Sequence, residues 1–85
     1  MASVLIIDDD EGVRAVVEHS LEMGGHTAYA AENASRAIDI LNEYIIDIAL
    51  VDIVMPERGG IDLMMEMHNE FPDIKIIVMS GKIDI

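Results

Sequence analysis

Three acidic or hydroxyl sites in this sequence have the residue types and spacing to do chemistry. They are Asp8–Asp10, Asp52 and Ser80, and each directly follows four apolar residues that are typical of a strand. The carboxyl ends of neighbouring parallel strands open onto one crevice, which is where ligands bind in open α/β folds. We therefore expect these sites, although distant in sequence, to form one cluster of carboxylates with a hydroxyl beside it.

Such a cluster suits a hard cation and a phosphoryl group. Packed carboxylates repel one another, which raises their pKa values unless a cation relieves them. Mg²⁺ is typically held by one or two carboxylates together with phosphate oxygens, and an aspartate beside it can accept a phosphoryl group as a nucleophile. Ser80 could then donate a hydrogen bond to a phosphoryl oxygen. A competing interpretation is that the acidic residues only cap a helix and begin a turn, but their joint placement after three strands disfavours it.

The apolar pattern alternates between strand and helix periods, as a βαβ series requires. Acidic residues before the first helical stripe and Asn33 before the second indicate helix starts, whereas Gly24-Gly25 and Pro72 indicate stops. The predicted strands are residues 3–7, 26–30, 46–51 and 75–79, the second helix carries an apolar stripe that extends to Ile45, and the third helix spans residues 61–71.

Crossovers between parallel strands are right-handed, so this alternation predicts an α/β fold with helices on both faces of one sheet. The predicted architecture is a doubly wound parallel sheet of strand order 2-1-3-4, with elements in the order β1α1β2α2β3α3β4. That order brings Asp9 close to Asp52 and Ser80 beside Asp52.

Length, charge and composition limit the function. A chain of 85 residues forms at most one small domain, and its net charge of −12 argues against nucleic-acid binding, which needs Lys and Arg on phosphates. The chain has no cysteine, which excludes disulfides and thiolate metal sites and fits a cytoplasmic location. No apolar run is long enough to span a bilayer, so we expect no membrane partner.

The segments VLIIDDDEGVR, ALVDIVMPERGGIDL and IKIIVMSG resemble the receiver domain of two-component response regulators. The resemblance runs along the whole chain in the family's order, and it implies the flavodoxin-like version of the doubly wound sheet. It also implies Mg²⁺ as cofactor, with Asp9 as direct ligand, Asp8 as the outer carboxylate and Asp10 as their helix-capping neighbour.

The resemblance assigns three further roles in the site. It makes Asp52 the phosphoacceptor and a ligand of the metal, the backbone carbonyl of Val54 the third protein ligand, and Ser80 the switch hydroxyl. The partner that it implies is a histidine kinase or a phosphotransfer protein.

The family pattern is incomplete, because a receiver domain also has a fifth strand ending in a lysine, and the last two helices. Lys82 follows the fourth strand immediately and does not match that lysine. We therefore expect residues 1–85 to be the N-terminal part of a single receiver domain, with the fourth strand as an exposed apolar edge. Such an edge is a template for pairing with another chain, so we predict self-association, plausibly as a dimer.

Two functions from different classes are consistent with the sequence. The first is a phosphoacceptor signalling module rather than an enzyme. The second is a truncated, phosphorylation-deficient receiver that serves as an interaction or self-association module. A small Mg²⁺-dependent hydrolase is disfavoured, because some aspartyl-phosphate hydrolases carry a second Asp where this chain has Val54.

Overall fold

The computed structural model describes residues 1–52 and 60–79. Val54 and Ser80 lie outside the described residues, so the roles predicted for them are not addressed by the structure. In chain order, the elements are β1 (Ser3–Ile7), α1 (Glu11–Met23), β2 (Thr27–Ala31), α2 (Ala34–Glu43), β3 (Ile48–Asp52), α3 (Gly60–Glu70) and β4 (Lys75–Met79).

The four strands form one parallel sheet of order β2-β1-β3-β4, which confirms the predicted topology. β1 is the central strand that pairs with both β2 and β3, and β4 adds to the far side of β3. The register places Ile7 beside Val51, so Asp8, which follows β1, and Asp52, which ends β3, come next to each other. This register is what assembles the acidic site.

The main core lies on the face of the sheet that α2 and α3 cover. Alternate residues of β1 and β3 point into it, since successive side chains of a strand face opposite sides. Leu5, Ile7 and Val51 are fully buried there, together with Leu63 and Met67 of α3. Packing in this core therefore fixes the positions of the ends of β1 and β3, next to the site.

The opposite face is covered less completely. α1 begins with Asp10 as its N-cap and has apolar residues at helical spacing, but none of its residues is buried. Val16 is 66% exposed, and Ile77 of β4 on the same side of the sheet is 42% exposed. An apolar surface thus remains open beside α1 and β4 among the described residues.

Several predicted boundaries differ from the observed ones. β2 and α3 are each shifted by one residue from the predicted ranges 26–30 and 61–71, and larger differences occur at the end of α2 and the start of β3. Ile45 was assigned to the stripe of α2, yet the helix ends at Glu43, because the backbone of Tyr44 is extended, with φ of −124° and ψ of 153°. The Tyr44 ring stacks on Tyr29 with centroids 4.5 Å apart. Ile45 is consequently 88% exposed. The third strand was predicted to begin at residue 46, but it begins at Ile48.

Candidate functional site

Three carboxylates meet at the carboxyl ends of β1 and β3. Asp8 follows Ile7, Asp52 ends β3 beside it, and Asp9 comes next along the chain. One carboxylate oxygen from each of Asp8, Asp9 and Asp52 lies within 4.8 Å of the other two. Asp8 and Asp52 are each only 5% exposed, whereas Asp9 is exposed. The structure therefore confirms that the strands bring these three predicted residues together.

The turn between β1 and α1 is held by its own aspartates. The Asp10 N–H donates to Asp8 Oδ1 at 2.8 Å, and the Val13 N–H donates to Asp10 Oδ1 at 3.1 Å. The second bond is an N-cap, which satisfies one of the amide groups left free at a helix start. Asp10 is thus the helix-capping neighbour that the sequence predicted, while Asp8 and Asp9 remain directed to the site.

Burial has the largest effect on the electrostatics of this site, and neighbouring negative charges add to it. The pKa of Asp8 is raised above its ordinary value, mainly because burial disfavours the charged carboxylate. The negative charges of Asp52, Asp9 and Asp10 raise it further, and the hydrogen bond from the Asp10 N–H opposes the shift. A group of carboxylates under such mutual repulsion is stabilised by a bound cation.

The donor set fits Mg²⁺. This ion prefers hard oxygen ligands and commonly uses only one or two carboxylates, leaving its other positions to water or phosphate oxygens. Within residues 1–52 and 60–79, the group of Asp8, Asp9 and Asp52 offers three such carboxylates at one place. The residues present are therefore able to hold this ion. Asp52, as one of the three carboxylates, would then lie beside the ion, where an aspartate can act as a nucleophile.

Arg14 is a site residue that the sequence reasoning missed. Its Nη1 donates to the backbone carbonyl of Asp8 at 2.8 Å, so α1 fastens the turn that carries two of the carboxylates. Its position four residues after the N-cap Asp10, and therefore one helical turn later, was the signal that could have revealed it.

The acidic cluster contains only aspartates among the described residues, and the three histidines lie elsewhere. His26 Nδ1 accepts a hydrogen bond from the Ala2 N–H at 3.0 Å, which ties the chain's start to the turn before β2. His19 and His68 are exposed on helices.

Among the described residues, no helix has the length and apolar character needed to cross a membrane.

A doubly wound parallel sheet with an acidic cluster at its carboxyl edge defines the class of protein. Residues 4–85 match the family model of the response regulator receiver domain. The chain belongs to that receiver-domain family.

Curated relatives are much longer than this chain. Sensor kinase CckA of Brucella abortus is 37% identical over 82 residues, which cover 94% of this chain and 9% of the relative. The DNA-binding transcriptional regulator NtrC of Azospirillum brasilense is 35% identical over 81 residues, which cover 95% of this chain and 17% of the relative. The similarity therefore concerns one part of each of these proteins.

Solved structures confirm the fold and include relevant complexes. The response regulator TrrA of Thermotoga maritima, in complex with Mg²⁺-BeF, matches with a TM-score of 0.89 at 27% identity, covering 96% of this chain and 71% of that chain. A structure of histidine kinase ThkA in complex with TrrA matches with a TM-score of 0.89 at 26% identity, covering 99% of this chain and 72% of the matched chain.

Proposed function

We propose that this chain is a phosphoacceptor signalling module, not an enzyme with a separate substrate, and that it takes a phosphoryl group from a histidine kinase or phosphotransfer protein onto Asp52. The observation that carries the proposal is the cluster of Asp8, Asp9 and Asp52, with oxygens within 4.8 Å of one another at the carboxyl edge of the sheet. The kinase complex and the Mg²⁺-BeF complex of TrrA support the partner and the cofactor by similarity.

In this proposal, an Asp52 carboxylate oxygen attacks the phosphorus of a phosphohistidine. A bond forms between that oxygen and phosphorus while the bond from phosphorus to the imidazole nitrogen breaks, and the imidazole keeps the electron pair. Bound Mg²⁺ supplies neutralisation of negative charge on the transferring group. Asp8 and Asp9 would hold the ion, and the Arg14 bond to the Asp8 carbonyl keeps their turn in place.

Intact-protein mass spectrometry after incubation with Mg²⁺ and acetyl phosphate tests this proposal. We expect a single phosphoryl adduct on the wild-type chain and none on Asp52→Asn. Asp73→Asn is the matched control, since it removes an exposed carboxylate just before β4, at the opposite edge of the sheet from the cluster, and should keep the adduct. A folded wild-type chain that acquires no adduct would contradict the proposal and favour an interaction module.

A further inference from the structure

The turn that carries Asp8 and Asp9 lies where the hydrogen bonds between β1 and β2 come to an end. The Asp8 N–H still donates to the Ala31 carbonyl of β2 at 3.1 Å. In a parallel pair, the carbonyl of the same residue would accept from an N–H further along the partner strand, but β2 ends at Ala31. Arg14 Nη1 donates to that carbonyl instead, at 2.8 Å. A side chain of α1 therefore satisfies a backbone acceptor that the sheet leaves open, as partly buried backbone groups require.

The position of Arg14 in α1 explains how its side chain reaches this turn. The Arg14 N–H donates to the Asp10 carbonyl at 3.0 Å, so its backbone belongs to the first turn of the helix. The Cα–Cβ bonds of a helix tilt towards its N-terminus, so a long side chain at this position extends back over that turn. Arg14 is half-buried there, whereas Arg36 in the first turn of α2 is exposed. The contact of Arg14 thus follows from where α1 begins.

Asp9 lies between two peptide groups that are both held by side chains. The peptide bond is planar, so the Arg14 bond to the Asp8 carbonyl fixes the whole peptide group that joins Asp8 to Asp9. The next peptide group, between Asp9 and Asp10, is held because the Asp10 N–H donates to Asp8 Oδ1 at 2.8 Å. Asp9 is the exposed member of the cluster, and the direction of its Cα–Cβ bond is set by these two peptide groups.

We propose that Arg14 is a positioning residue that sets the Mg²⁺ affinity of the site, because its bond to the Asp8 carbonyl holds Asp9 in place before the ion binds. A ligand that is fixed in advance does not have to be ordered during binding, so less of the binding free energy is lost. Removing the hydrogen-bond partners of metal ligands typically weakens metal binding by roughly 10- to 100-fold. This inference rests on the Mg²⁺ site of the proposed function, but not on phosphoryl transfer to Asp52.

The positive charge of Arg14 acts in the opposite direction. A guanidinium close to carboxylates repels an incoming cation, so removal of the charge alone would tighten Mg²⁺ binding. Arg14 donates to the backbone carbonyl of Asp8, and among the described residues only the Asp10 N–H lowers the pKa of the Asp8 carboxyl. The charge of Arg14 therefore has little effect on the carboxylate of the residue that it binds, and we expect positioning to outweigh repulsion.

Isothermal titration calorimetry of the chain with MgCl₂ tests this inference. Arg14→Met removes the charge and the donor but keeps an unbranched stem, and we expect the dissociation constant for Mg²⁺ to rise about tenfold. Arg36→Met is the matched control, since it changes the net charge by the same amount at an exposed position in the first turn of α2. It should bind Mg²⁺ with unchanged or slightly tighter affinity. Folded Arg14→Met that binds Mg²⁺ as tightly as wild type, or no more weakly than Arg36→Met, would overturn the inference.

The Mg²⁺ dependence of phosphorylation gives a second readout, which a general loss of stability would not reproduce. For Arg14→Met, we expect the half-saturating Mg²⁺ concentration for adduct formation from acetyl phosphate to rise by about the same factor as the dissociation constant. The rate at saturating Mg²⁺ should stay close to that of wild type, because Asp9 is then held by the bound ion. A lower rate at saturating Mg²⁺ with an unchanged half-saturating concentration would assign Arg14 to phosphoryl transfer and overturn its role in Mg²⁺ binding.

NMR spectroscopy of the wild-type chain tests the inference without any substitution. In a chain with isotope-labelled arginine, the Arg14 guanidinium should give separate Nη resonances in chelator, since its bond to the Asp8 carbonyl restricts rotation. The exposed Arg36 guanidinium should give one averaged resonance. The separate Arg14 resonances should persist when MgCl₂ is added. Averaged Arg14 resonances in chelator would show that the turn is not held before the ion binds, and they would overturn the inference even if Arg14→Met failed to fold.

Calorimetry also separates this inference from the proposed function. If wild type binds Mg²⁺ with the expected dependence on Arg14 but acquires no phosphoryl adduct, the proposed function fails and the positioning role stands. If the adduct forms alike on wild type and Arg14→Met at every Mg²⁺ concentration, the proposed function stands and the positioning role is wrong. A wild-type chain that binds no Mg²⁺ at millimolar concentration would overturn the inference directly.

Discussion

At the scale of single residues, the charged carboxylate of Asp8 destabilises the folded chain when no cation is bound. Its carboxylate is 5% exposed and lies among other carboxylates, so its pKa is raised mainly by burial. Because the folded chain favours the protonated form, the stability contributed by Asp8 is fully present below its ordinary pKa and is lost as pH rises through the raised value. At neutral pH, the charged Asp8 therefore destabilises the fold.

Replacing Asp8 by Asn should raise the melting temperature at neutral pH in the presence of a chelator. The amide oxygen can still accept the Asp10 N–H at the position where Asp8 Oδ1 now accepts it. The gain should shrink as pH falls, because wild-type Asp8 also becomes neutral. Thermal unfolding followed by circular dichroism from pH 3 to pH 7, about the range over which carboxylates titrate, measures this.

Adding Mg²⁺ should raise the melting temperature of Asp8→Asn less than that of wild type, since a ligand stabilises a folded protein that binds it. Asp39→Asn is the matched control, since it removes an exposed carboxylate on α2. We expect it to leave both the pH profile and the response to Mg²⁺ unchanged. If Asp8→Asn lowered the melting temperature at neutral pH in chelator, the charge-crowding account of the site would be wrong.

At the scale of elements, the turn between α1 and β2 depends on a glycine. Gly25 has φ of +87°, a left-handed conformation that side chains disfavour, and no atom lies within 4 Å of a Cβ built there. Gly25→Ala should therefore destabilise the fold by about 1–2 kcal/mol through the backbone alone. Urea unfolding of this variant beside Gly24→Ala, where φ is −81°, measures the difference. Equal destabilisation by both substitutions would contradict the backbone explanation.

The sequence predicted element type and order better than element ends. Alternating periodicity and right-handed crossovers are sufficient to place Asp8, Asp9 and Asp52 at one edge of the sheet. This placement requires only the order of the strands and the position at which each strand ends. Ile46 was assigned to the third strand because it is apolar, but it is buried just outside the strand, which begins at Ile48. Apolar character reports burial, and a buried residue beside a strand gives the same signal as one within it.

Features that depend on particular side-chain geometry could not be derived from the pattern. The reach of Arg14 to the Asp8 carbonyl depends on how α1 sits on the sheet, which periodicity does not fix. Periodicity likewise identified the apolar face of α1 without revealing that none of its residues would be buried. Whether the apolar face of a helix is buried depends on which other elements pack against it, and the sequence of that helix alone does not show this.

At the scale of the whole molecule, net charge opposes folding and association alike. The 17 acidic residues against 5 basic ones are confined to a body with principal extents of 32 × 30 × 20 Å. The Debye length falls from about 30 Å at 0.01 M salt to about 8 Å at 0.15 M, so repulsion acts across the molecule only at low salt. Self-repulsion of this kind destabilises a compact state.

Raising NaCl from about 0.01 M to about 0.15 M should therefore increase the free energy of unfolding, with most of the gain complete once the Debye length is shorter than the molecule. Urea unfolding of the wild-type chain in chelator at the two salt levels measures this effect apart from the binding of divalent cations. A free energy of unfolding that falls as NaCl is raised over this range would contradict the self-repulsion explanation.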